Sequence, residues 1–353
     1  MWAIDNRTPY AAEGTWIRDL DGAEIWVVGV KATYDILPDG STRLAEQQLP
    51  LHTGPVPHDG LQSLRYETDL GPSKPATDII LIGHAHAQTA EPVSMLPVGF
   101  RVGALTRTAH VWGDRYWQDG MLFQSASAPI PFHRMPLVYE RAFGGDATDL
   151  AGASGNPVGR GIVADLAGRR WLPNIESADQ PIRTPGDRPP VVGFGVIASH
   201  WPERRQYAGT YDQAWRDERF PLLPADLDPR HWQIAPPAQQ VPGHLKGGEP
   251  IVLANLTPPG LAPGGRLGFV LPKLTLAFET RFLDGSRQAS RAVIHSVILE
   301  PDHPRLSVVY HMALPCHPKV NLLQFTRITQ KQRPLDRTRD DITDTLAWPE
   351  TVI

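Results

Sequence analysis

Residues 24–34 read EIWVVGVKATY, a run of β-branched and aromatic side chains that favours an extended strand. The turn signal PDG follows at residues 38–40. Further along, the run IILIG at residues 79–83 predicts a buried strand, and residues 100–112 predict a hairpin around Gly103. The first third of the chain therefore indicates a sheet.

Strand patterns return towards the C-terminal end of the sequence. Apolar and polar residues alternate in four stretches, residues 266–270, 273–282, 291–299 and 306–312. This alternation predicts an antiparallel meander whose strands each have one buried and one wetter face. A further strand is predicted over residues 137–143.

Turn-forming residues are abundant, since the 353 residues include 31 glycines and 36 prolines. Both residue types disfavour helix interiors, which excludes a mainly helical chain. One short helix is predicted over residues 212–220, with Asp212 as its N-cap and Pro221 after its end. The predicted fold class is mainly β, with antiparallel sheets in a sandwich-like or barrel-like arrangement, a long loop-rich, Pro/Gly-rich middle and little helix.

Composition changes near residues 145 and 260, which predicts three parts. Residues 1–145 are expected to form an N-terminal β unit, and residues 261–353 a C-terminal β meander and tail. Between them, residues 146–260 are expected to be a loop-rich segment packed on the sheets, because the segment holds many large aromatic side chains. The same pattern allows all three parts to form one composite domain.

Charge and hydropathy exclude several classes of protein. The 34 basic and 38 acidic residues give a net charge of −4, which argues against a nucleic-acid grip over the whole surface. No apolar run approaches the length of a membrane span, and the first residues lack the pattern of a secretory signal. The one cysteine excludes an internal disulfide. We therefore expect a cytoplasmic protein with no direct nucleic-acid partner and no membrane partner.

Two groups of residues have the chemistry of metal ligands. His84 and His86 are spaced so that both face one side of a strand, where two imidazoles could hold zinc. Only Glu91 and His110 offer a nearby third ligand, so the alternative is a pair of structural histidines on a sheet face.

The second group lies near the C-terminal end of the sequence and comprises His303, His311, Cys316 and His317. These residue types suit zinc or a Cys–His nucleophile, but their spacing matches no structural zinc pattern. The alternative is that Cys316 is a small buried hydrophobic residue. We expect no metal, no cofactor and no catalytic residue here. Nucleotide-binding glycine motifs and the serine-nucleophile elbow are missing as well.

Charged residues interleaved with aromatic ones form the most suggestive pattern. The candidate partner-binding residues are Arg65, Tyr66, Asp69, Lys74, Tyr139, Glu140, Arg141, Phe143, Trp201, Arg204, Tyr211 and Trp215. They could receive a partner protein on the surface, because arginine and large aromatic residues dominate protein interfaces. The alternative is an internal network of ion pairs that clamps the loops together.

Several short motifs, in a fixed order, resemble one bacterial family. They include Asn6-Arg7-Thr8-Pro9, Val30-Lys31-Ala32-Thr33-Tyr34, Ser63-Leu64-Arg65-Tyr66 with Asp69, Lys74-Pro75 with Thr77-Asp78, Gly83-His84-Ala85, Tyr139-Glu140-Arg141-Ala142-Phe143-Gly144-Gly145, Asn156-Pro157-Val158-Gly159, Leu172-Pro173-Asn174, Ala208-Gly209-Thr210-Tyr211-Asp212 with Trp215, and Gly247-Gly248-Glu249-Pro250. On these motifs the chain resembles domain-of-unknown-function family 2169, found beside type VI secretion genes. The resemblance covers about residues 1 to 300.

The resemblance implies an adaptor or chaperone rather than an enzyme. Such a protein would bind a toxic effector in the cytosol and help to load it onto the valine–glycine repeat (VgrG) spike. A basic effector such as a nuclease toxin is compatible with the net charge of −4. The alternatives are a metal-assisted hydrolase that uses the histidine and cysteine residues, and a structural part of the secretion apparatus.

Overall fold

The computed structural model describes residues 3–121, 123–145 and 155–331. Within these residues the chain is mainly β, with several mostly antiparallel sheets and only short helices. The fold class predicted from the sequence is therefore confirmed. No helix in the described part of the chain has the length and apolar character needed to cross a membrane.

The largest sheet formed by the described residues has seven strands. In chain order they are β2 (Ala11–Arg18), β3 (Glu24–Ile36), β4 (Thr42–Leu44), β7 (Ala76–Leu81), β17 (Gln240–Pro242), β22 (Val293–Glu300) and β23 (Arg305–Pro315). Across the sheet the order is β17-β7-β22-β23-β3-β2, and β4 pairs with one end of β3. Strands β7 and β22 run parallel, whereas the other neighbours are antiparallel.

Two further sheets are also shared between distant parts of the chain. The five-stranded sheet comprises β9 (Met95–Val102), β10 (Leu105–Trp112), β16 (Ile175–Glu176), β18 (Pro250–Ala254) and β19 (Arg266–Val270). The four-stranded sheet comprises β1 (Ala3–Asn6), β20 (Leu276–Phe282), β21 (Arg287–Ser290) and β24 (Leu323–Gln330). In the second of these β21 lies at an edge, next to β20.

Short elements complete the described chain. Four pairs of strands join β5 (Val56–Pro57) to β6 (Leu64–Tyr66), β8 (His84–His86) to β13 (Arg134–Pro136), β11 (Trp117–Asp119) to β12 (Gln124–Ala126), and β14 (Phe143–Gly144) to β15 (Arg160–Gly161). The α-helices are α1 (Pro202–Arg205) and α2 (Gln213–Glu218), and the 3₁₀-helices are Tyr139–Arg141, Pro229–Trp232, Pro237–Gln239, Pro263–Gly265 and His317–Leu322.

The three large sheets share one hydrophobic core. Alternate residues of the seven-stranded sheet face it, namely Val28, Val30, Ala32 and Tyr34 of β3, Ile79 and Leu81 of β7, and Val308, Tyr310 and Met312 of β23. The other two sheets contribute Phe100, Phe269 and Phe278 to the same core. Burying each large apolar side chain stabilises the fold by about 1.5–3 kcal/mol, so this layer provides most of the hydrophobic stabilisation.

The opposite face of the seven-stranded sheet is buried as well. A smaller apolar cluster there joins Ile80 and Ile298 of the sheet to Val196 and Ile234 of the loop-rich middle segment. Because both faces of its central strands are covered, residues 25–30 of β3 form a continuous apolar run rather than an alternating one.

Gly29 explains how a loop can close over the middle of β3. A Cβ atom built at this position would lie 2.5 Å from Leu51 Cδ2 and 2.8 Å from Leu70 Cδ2. The missing side chain therefore lets the loop before β7 press directly on the strand.

The structure confirms several local predictions and corrects two. The hairpin around Gly103 forms from β9 and β10, and α2 begins after Asp212, whose side chain accepts a hydrogen bond from the Trp215 amide. The strand predicted over residues 137–143 is wrong, because a 3₁₀-helix occupies Tyr139–Arg141 and only a two-residue strand follows.

The predicted C-terminal meander is also wrong. Strands β20 and β21 form a hairpin in the four-stranded sheet, whereas β22 and β23 form a hairpin in the seven-stranded sheet. Alternation of apolar and polar residues identifies a strand and its faces, but it does not identify the sheet that the strand joins.

Each large sheet takes strands from both ends of the chain. The seven-stranded sheet combines β2 and β3 with β22 and β23, and the four-stranded sheet combines β1 with β24. Among the described residues, strands from residues 3–145 and strands from residues 261–331 are therefore interleaved within the same sheets. The C-terminal tail predicted as part of the last unit lies outside the described residues beyond Lys331.

Candidate functional site

The face of the seven-stranded sheet beneath the loops is unusually polar for a buried surface. Lys31, Val309, Ser296 and Asp78 lie in register across four adjacent strands. We call the buried or nearly buried ionisable residues of this layer the polar face, defined as Lys31, Asp69, Lys74, Asp78, His295, Glu300 and His311.

Two lysine–carboxylate pairs lie within the polar face. Lys31 Nζ is 2.8 Å from Asp69 Oδ2, and the exposed fraction of the Lys31 side chain is 1%. Lys74 Nζ is 2.8 Å from Asp78 Oδ2, and the Asp78 side chain is completely buried. A buried charge is tolerated only with a partner of opposite sign and further hydrogen bonds, so these pairs fix the positions of the segments that carry them.

Asp78 holds the middle segment against the sheet. Its carboxylate accepts hydrogen bonds from Gln233 Nε2 at 2.7 Å, from the Ile234 amide at 3.0 Å and from the Ala235 amide at 3.1 Å, in addition to Lys74. All its bonding capacity is therefore used within the protein.

A second group of hydrogen-bond donors surrounds the Glu300 carboxylate. It accepts hydrogen bonds from the Tyr66 hydroxyl at 2.7 Å, from Arg65 at 3.3 Å and from Arg305 Nε at 3.0 Å. Burial, together with the neighbouring Glu300 carboxylate, raises the pKa of Tyr66 to about 12. Tyr66 is therefore a neutral hydrogen-bond donor at physiological pH.

Two histidine rings stack within the polar face. The centroids of His295 and His311 are 3.8 Å apart with an interplanar angle of 11°. The His295 Nε2 atom accepts from the Lys74 amide at 3.3 Å, and His311 Nε2 donates to the Gly71 carbonyl at 2.9 Å. Burial lowers the pKa of His295 well below its usual value and that of His311 to about 4, so both rings are neutral near pH 7.

A cavity of about 200 Å³ lies beside the polar face and is lined by residues that include Glu67, Lys74, Arg204 and Trp232. Arg204 is 5% exposed and donates to Glu67 Oε2 at 3.2 Å, to the Ile197 carbonyl at 2.7 Å and to the His231 carbonyl at 3.0 Å. Its guanidinium is thus engaged in joining three loop segments.

The motif Tyr139-Glu140-Arg141 connects several loops. Arg141 Nη1 donates to Asp114 Oδ1 at 3.1 Å and to Asn174 Oδ1 at 3.0 Å. Glu140 accepts from the Ser63 amide at 2.8 Å and from its hydroxyl at 2.7 Å. These bonds tie three separate loops to one 3₁₀-turn.

The aromatic residues of the same region are buried. Tyr139 and Trp201 pack edge to face with ring centroids 5.0 Å apart, and Phe143 is buried nearby in the chain. Ten of the twelve candidate residues are thus buried or bonded to side chains or backbone of other segments. This arrangement favours the internal clamp for Arg65, Tyr66, Asp69, Lys74, Tyr139, Glu140, Arg141, Phe143, Trp201 and Arg204.

Tyr211 and Trp215 differ from the other ten. With Phe220 they form a cluster that we call the aromatic patch, in which the ring centroids of Tyr211 and Trp215 are 4.7 Å apart and those of Trp215 and Phe220 are 5.7 Å apart. Tyr211 is 52% exposed and Phe220 is 68% exposed. A cluster of exposed aromatic side chains is typical of a protein-binding surface.

Hydrogen bonds hold the aromatic patch in place. Asp226 accepts from the Thr210 amide at 2.9 Å and from its hydroxyl at 2.7 Å, on one side of the patch. Trp215 Nε1 donates to the Leu222 carbonyl at 2.9 Å. Because the loop is already ordered, a partner would lose less conformational entropy on binding to it.

The candidate metal ligands adopt a different arrangement. His84 Nδ1 donates to Asp302 Oδ2 at 2.6 Å, and His86 Nε2 donates to Asp302 Oδ1 at 2.7 Å. Burial alone would raise the pKa of Asp302, but these two bonds outweigh it and hold the pKa far below its usual value. The histidines therefore face one side, as predicted, and share one carboxylate.

The C-terminal histidine and cysteine residues do not converge. His311 belongs to the polar face, Cys316 is buried in the main core, and His317 pairs with Glu24. Burial raises the pKa of the Cys316 thiol, the opposite of what an activated nucleophile requires. Within residues 3–121, 123–145 and 155–331, no group of three or more histidine, cysteine, aspartate or glutamate side chains is placed so that it could hold a metal ion.

Sequence reasoning missed three residues that matter here. Glu300 is the last residue of β22, and Asp302 lies two residues beyond it. Tyr66, His84 and His86, which these carboxylates bind, are more than two hundred residues away in sequence, so no local pattern marks the contacts. The sequence did contain a sign that Phe220 belongs to the candidate surface. Phe220 lies between a short helix and Pro221, in a segment that is rich in aromatic residues.

Comparison with known proteins gives one match. The model of family DUF2169, described as an uncharacterized protein conserved in bacteria, matches residues 21–311. No curated protein and no solved structure matches the chain.

Proposed function

Because the chain belongs to the bacterial family DUF2169, we propose that it is a cytoplasmic adaptor that binds a type VI secretion effector and helps to load it onto the VgrG spike. The association with type VI secretion rests on the resemblance of the sequence motifs. The observation that carries the binding role is the aromatic patch, with Tyr211 52% exposed and Phe220 68% exposed.

The hydrogen bonds of the buried charged residues support the same proposal. Asp78, Glu300 and Arg204 each use several hydrogen bonds to hold loops on the sheet. These groups act as a rigid support, and a rigid support presents the aromatic patch in one conformation. Ordered aromatic anchors on a fixed scaffold suit recognition of a folded or extended protein segment.

The test is an affinity capture with matched variants. Tagged wild-type protein and the double variant Tyr211→Ala/Phe220→Ala are used to capture partners from lysate of the host bacterium, and the captured proteins are identified by mass spectrometry. We expect an effector or spike protein to co-purify with the wild type in near-equal amount. We expect at least a tenfold loss with the double variant, because truncating two aromatic anchors costs more than about 1.4 kcal/mol of binding free energy.

The matched control is Phe123→Ala. Phe123 is also an exposed aromatic residue, at 82%, but it lies on the β11–β12 hairpin and outside the aromatic patch. Capture by this variant should equal that of the wild type. Equal capture by the double variant would remove the aromatic patch from the interface, and absence of any effector or spike protein would contradict the adaptor role.

A further inference from the structure

A groove separate from the aromatic patch and the polar face runs between two sheets. Its volume is about 600 Å³, and it lies between the β20–β21 hairpin of the four-stranded sheet and the residues that follow β17 in the seven-stranded sheet. Leu274, Leu276 and Phe278 give it an apolar floor. We call it the cationic groove because Lys246, Arg291 and Lys331 line it.

The charged residues that line the groove all have the same sign. Lys246, Arg291 and Lys331 are exposed at its margin, and none of the described residues that line it is acidic. None of the three cations forms an ion pair within the described residues. The groove therefore has an uncompensated positive charge above an apolar floor, which favours an occupant that is acidic and partly apolar.

The groove also borders backbone groups with which an extended chain could pair. Strand β21 lies at the edge of its sheet, so backbone groups along one side are free to pair with an added strand. A free edge beside an apolar floor is a liability unless something covers it.

The chain itself contains a segment with the required chemistry. Residues 340–353 read DDITDTLAWPETVI, which has four carboxylates, no basic residue, and apolar side chains between the acidic ones. This segment lies outside the described residues, but the described chain ends at Lys331, which lines the groove. The nine residues from Lys331 to Asp340 can span about 30 Å, so the segment can reach any part of the groove.

We propose that the cationic groove binds the chain's own acidic segment, residues 340–353, in an extended conformation along the edge of β21. The carboxylates face Lys246, Arg291 and Lys331, and the apolar side chains cover the floor. This intramolecular contact does not depend on the proposed adaptor function.

Photo-cross-linking within the full-length protein tests the proposal. The photoreactive amino acid benzoylphenylalanine replaces Trp348, and the sample mixes ¹⁴N-labelled and ¹⁵N-labelled protein so that mass spectrometry separates links within a chain from links between chains. We expect links within one chain to peptides that contain residues 274–278 or 289–294. Links to any other surface, links between chains, or no link would each overturn the proposal.

Charge reversal gives an independent test. The groove variant Lys246→Glu/Arg291→Glu should reduce the yield of these links at least tenfold, and adding Asp340→Lys/Asp341→Lys should restore much of it. The matched control Arg205→Glu reverses the charge of an exposed residue of α1, away from β21 and outside the groove lining, and should leave the yield unchanged. Loss of links without restoration, in variants whose thermal unfolding matches the wild type, would contradict the charge pairing.

Discussion

The two faces of the seven-stranded sheet are buried by different means. One face packs Val28, Val30 and Val308 into the apolar core that the three large sheets share. The other face carries the ion pairs of Lys31 and Lys74 and is covered by loops. An apolar layer accepts many partners of suitable size, whereas a buried charge accepts a partner only where an opposite charge lies. The polar face therefore determines where each loop sits.

Breaking the polar face should have the largest effect on stability. The substitution Asp78→Ala leaves the Lys74 ammonium without its carboxylate and removes three further hydrogen bonds, so we expect a loss of about 4 kcal/mol in the free energy of unfolding. Urea-induced unfolding measures it. The control Asp217→Ala, at an exposed position, should change the same quantity by less than about 0.5 kcal/mol. A loss below about 1 kcal/mol for Asp78→Ala would contradict the clamp.

Truncation of a side chain in the apolar layer should lower the free energy of unfolding somewhat less than Asp78→Ala does. Leu306 is fully buried, and Leu306→Ala should lower the free energy of unfolding by about 3 kcal/mol through lost contacts and a cavity. Conservative substitutions test whether the two faces of the sheet differ in the changes they tolerate. Leu306→Met should cost less than about 1.5 kcal/mol because cores tolerate swaps of similar volume. Asp78→Asn should lower the free energy of unfolding more than Leu306→Met does. The reverse order in urea unfolding would contradict the difference between the polar face and the apolar layer.

Acid should weaken the polar face selectively. The unfolded chain binds a proton at His311 below about pH 6.5, whereas in the folded chain burial lowers the pKa of this group to about 4. The unfolded state therefore binds more protons between these values, and stability falls as the pH decreases through this window, by about 2 kcal/mol at pH 5. His295 adds to the loss in the same direction.

The measurement is the midpoint of urea unfolding at pH 7 and at pH 5 for the wild type and for His311→Gln. The groups that face this ring are His295, His244, Lys74 and the Gly71 carbonyl, and the three side chains all disfavour a further positive charge. We expect a smaller pH dependence in the variant. An equal dependence in both proteins would assign the acid sensitivity to other groups.

Changes in the aromatic patch should have the smallest effect on stability. Phe220 is 68% exposed, so Phe220→Ala should change the free energy of unfolding by less than about 0.5 kcal/mol. The same variant should lose partner capture, which separates a binding surface from both buried faces of the sheet. A loss above about 2 kcal/mol in thermal or urea unfolding would show that the patch is part of the core.

Local structure was predictable where short-range physics determines it. The run at residues 24–34 lies in β3, Gly103 lies in the turn of the β9–β10 hairpin, and Asp212 is the N-cap of α2, as predicted. The failures concern pairing at a distance. Residues 137–143 have strand-forming side chains, but the tertiary contacts of Tyr139 and Glu140 hold a 3₁₀-turn instead.

The candidate site was predictable as a set of residues but not as a set of roles. Arg65, Tyr66, Asp69 and Lys74 do come together on one face of one sheet. Whether such residues face solvent or each other depends on partners such as Glu300, more than two hundred residues away in sequence. No local sequence pattern shows whether these residues face solvent or each other, because a buried ion pair and an exposed one consist of the same residue types.

The parallel pairing of β7 with β22 also has a consequence during protein synthesis. Ile80 pairs with Ile298, so a ribosome must add roughly 200 residues after β7 before its partner strand exists, which takes about 10–40 s at about 5–20 residues per second. For that time an apolar strand has an unpaired edge, in a fold dominated by contacts between distant residues. We expect ribosome-bound chains arrested before β22 to be cleaved readily by protease near β7 and to need a chaperone, and protection of such chains would contradict this.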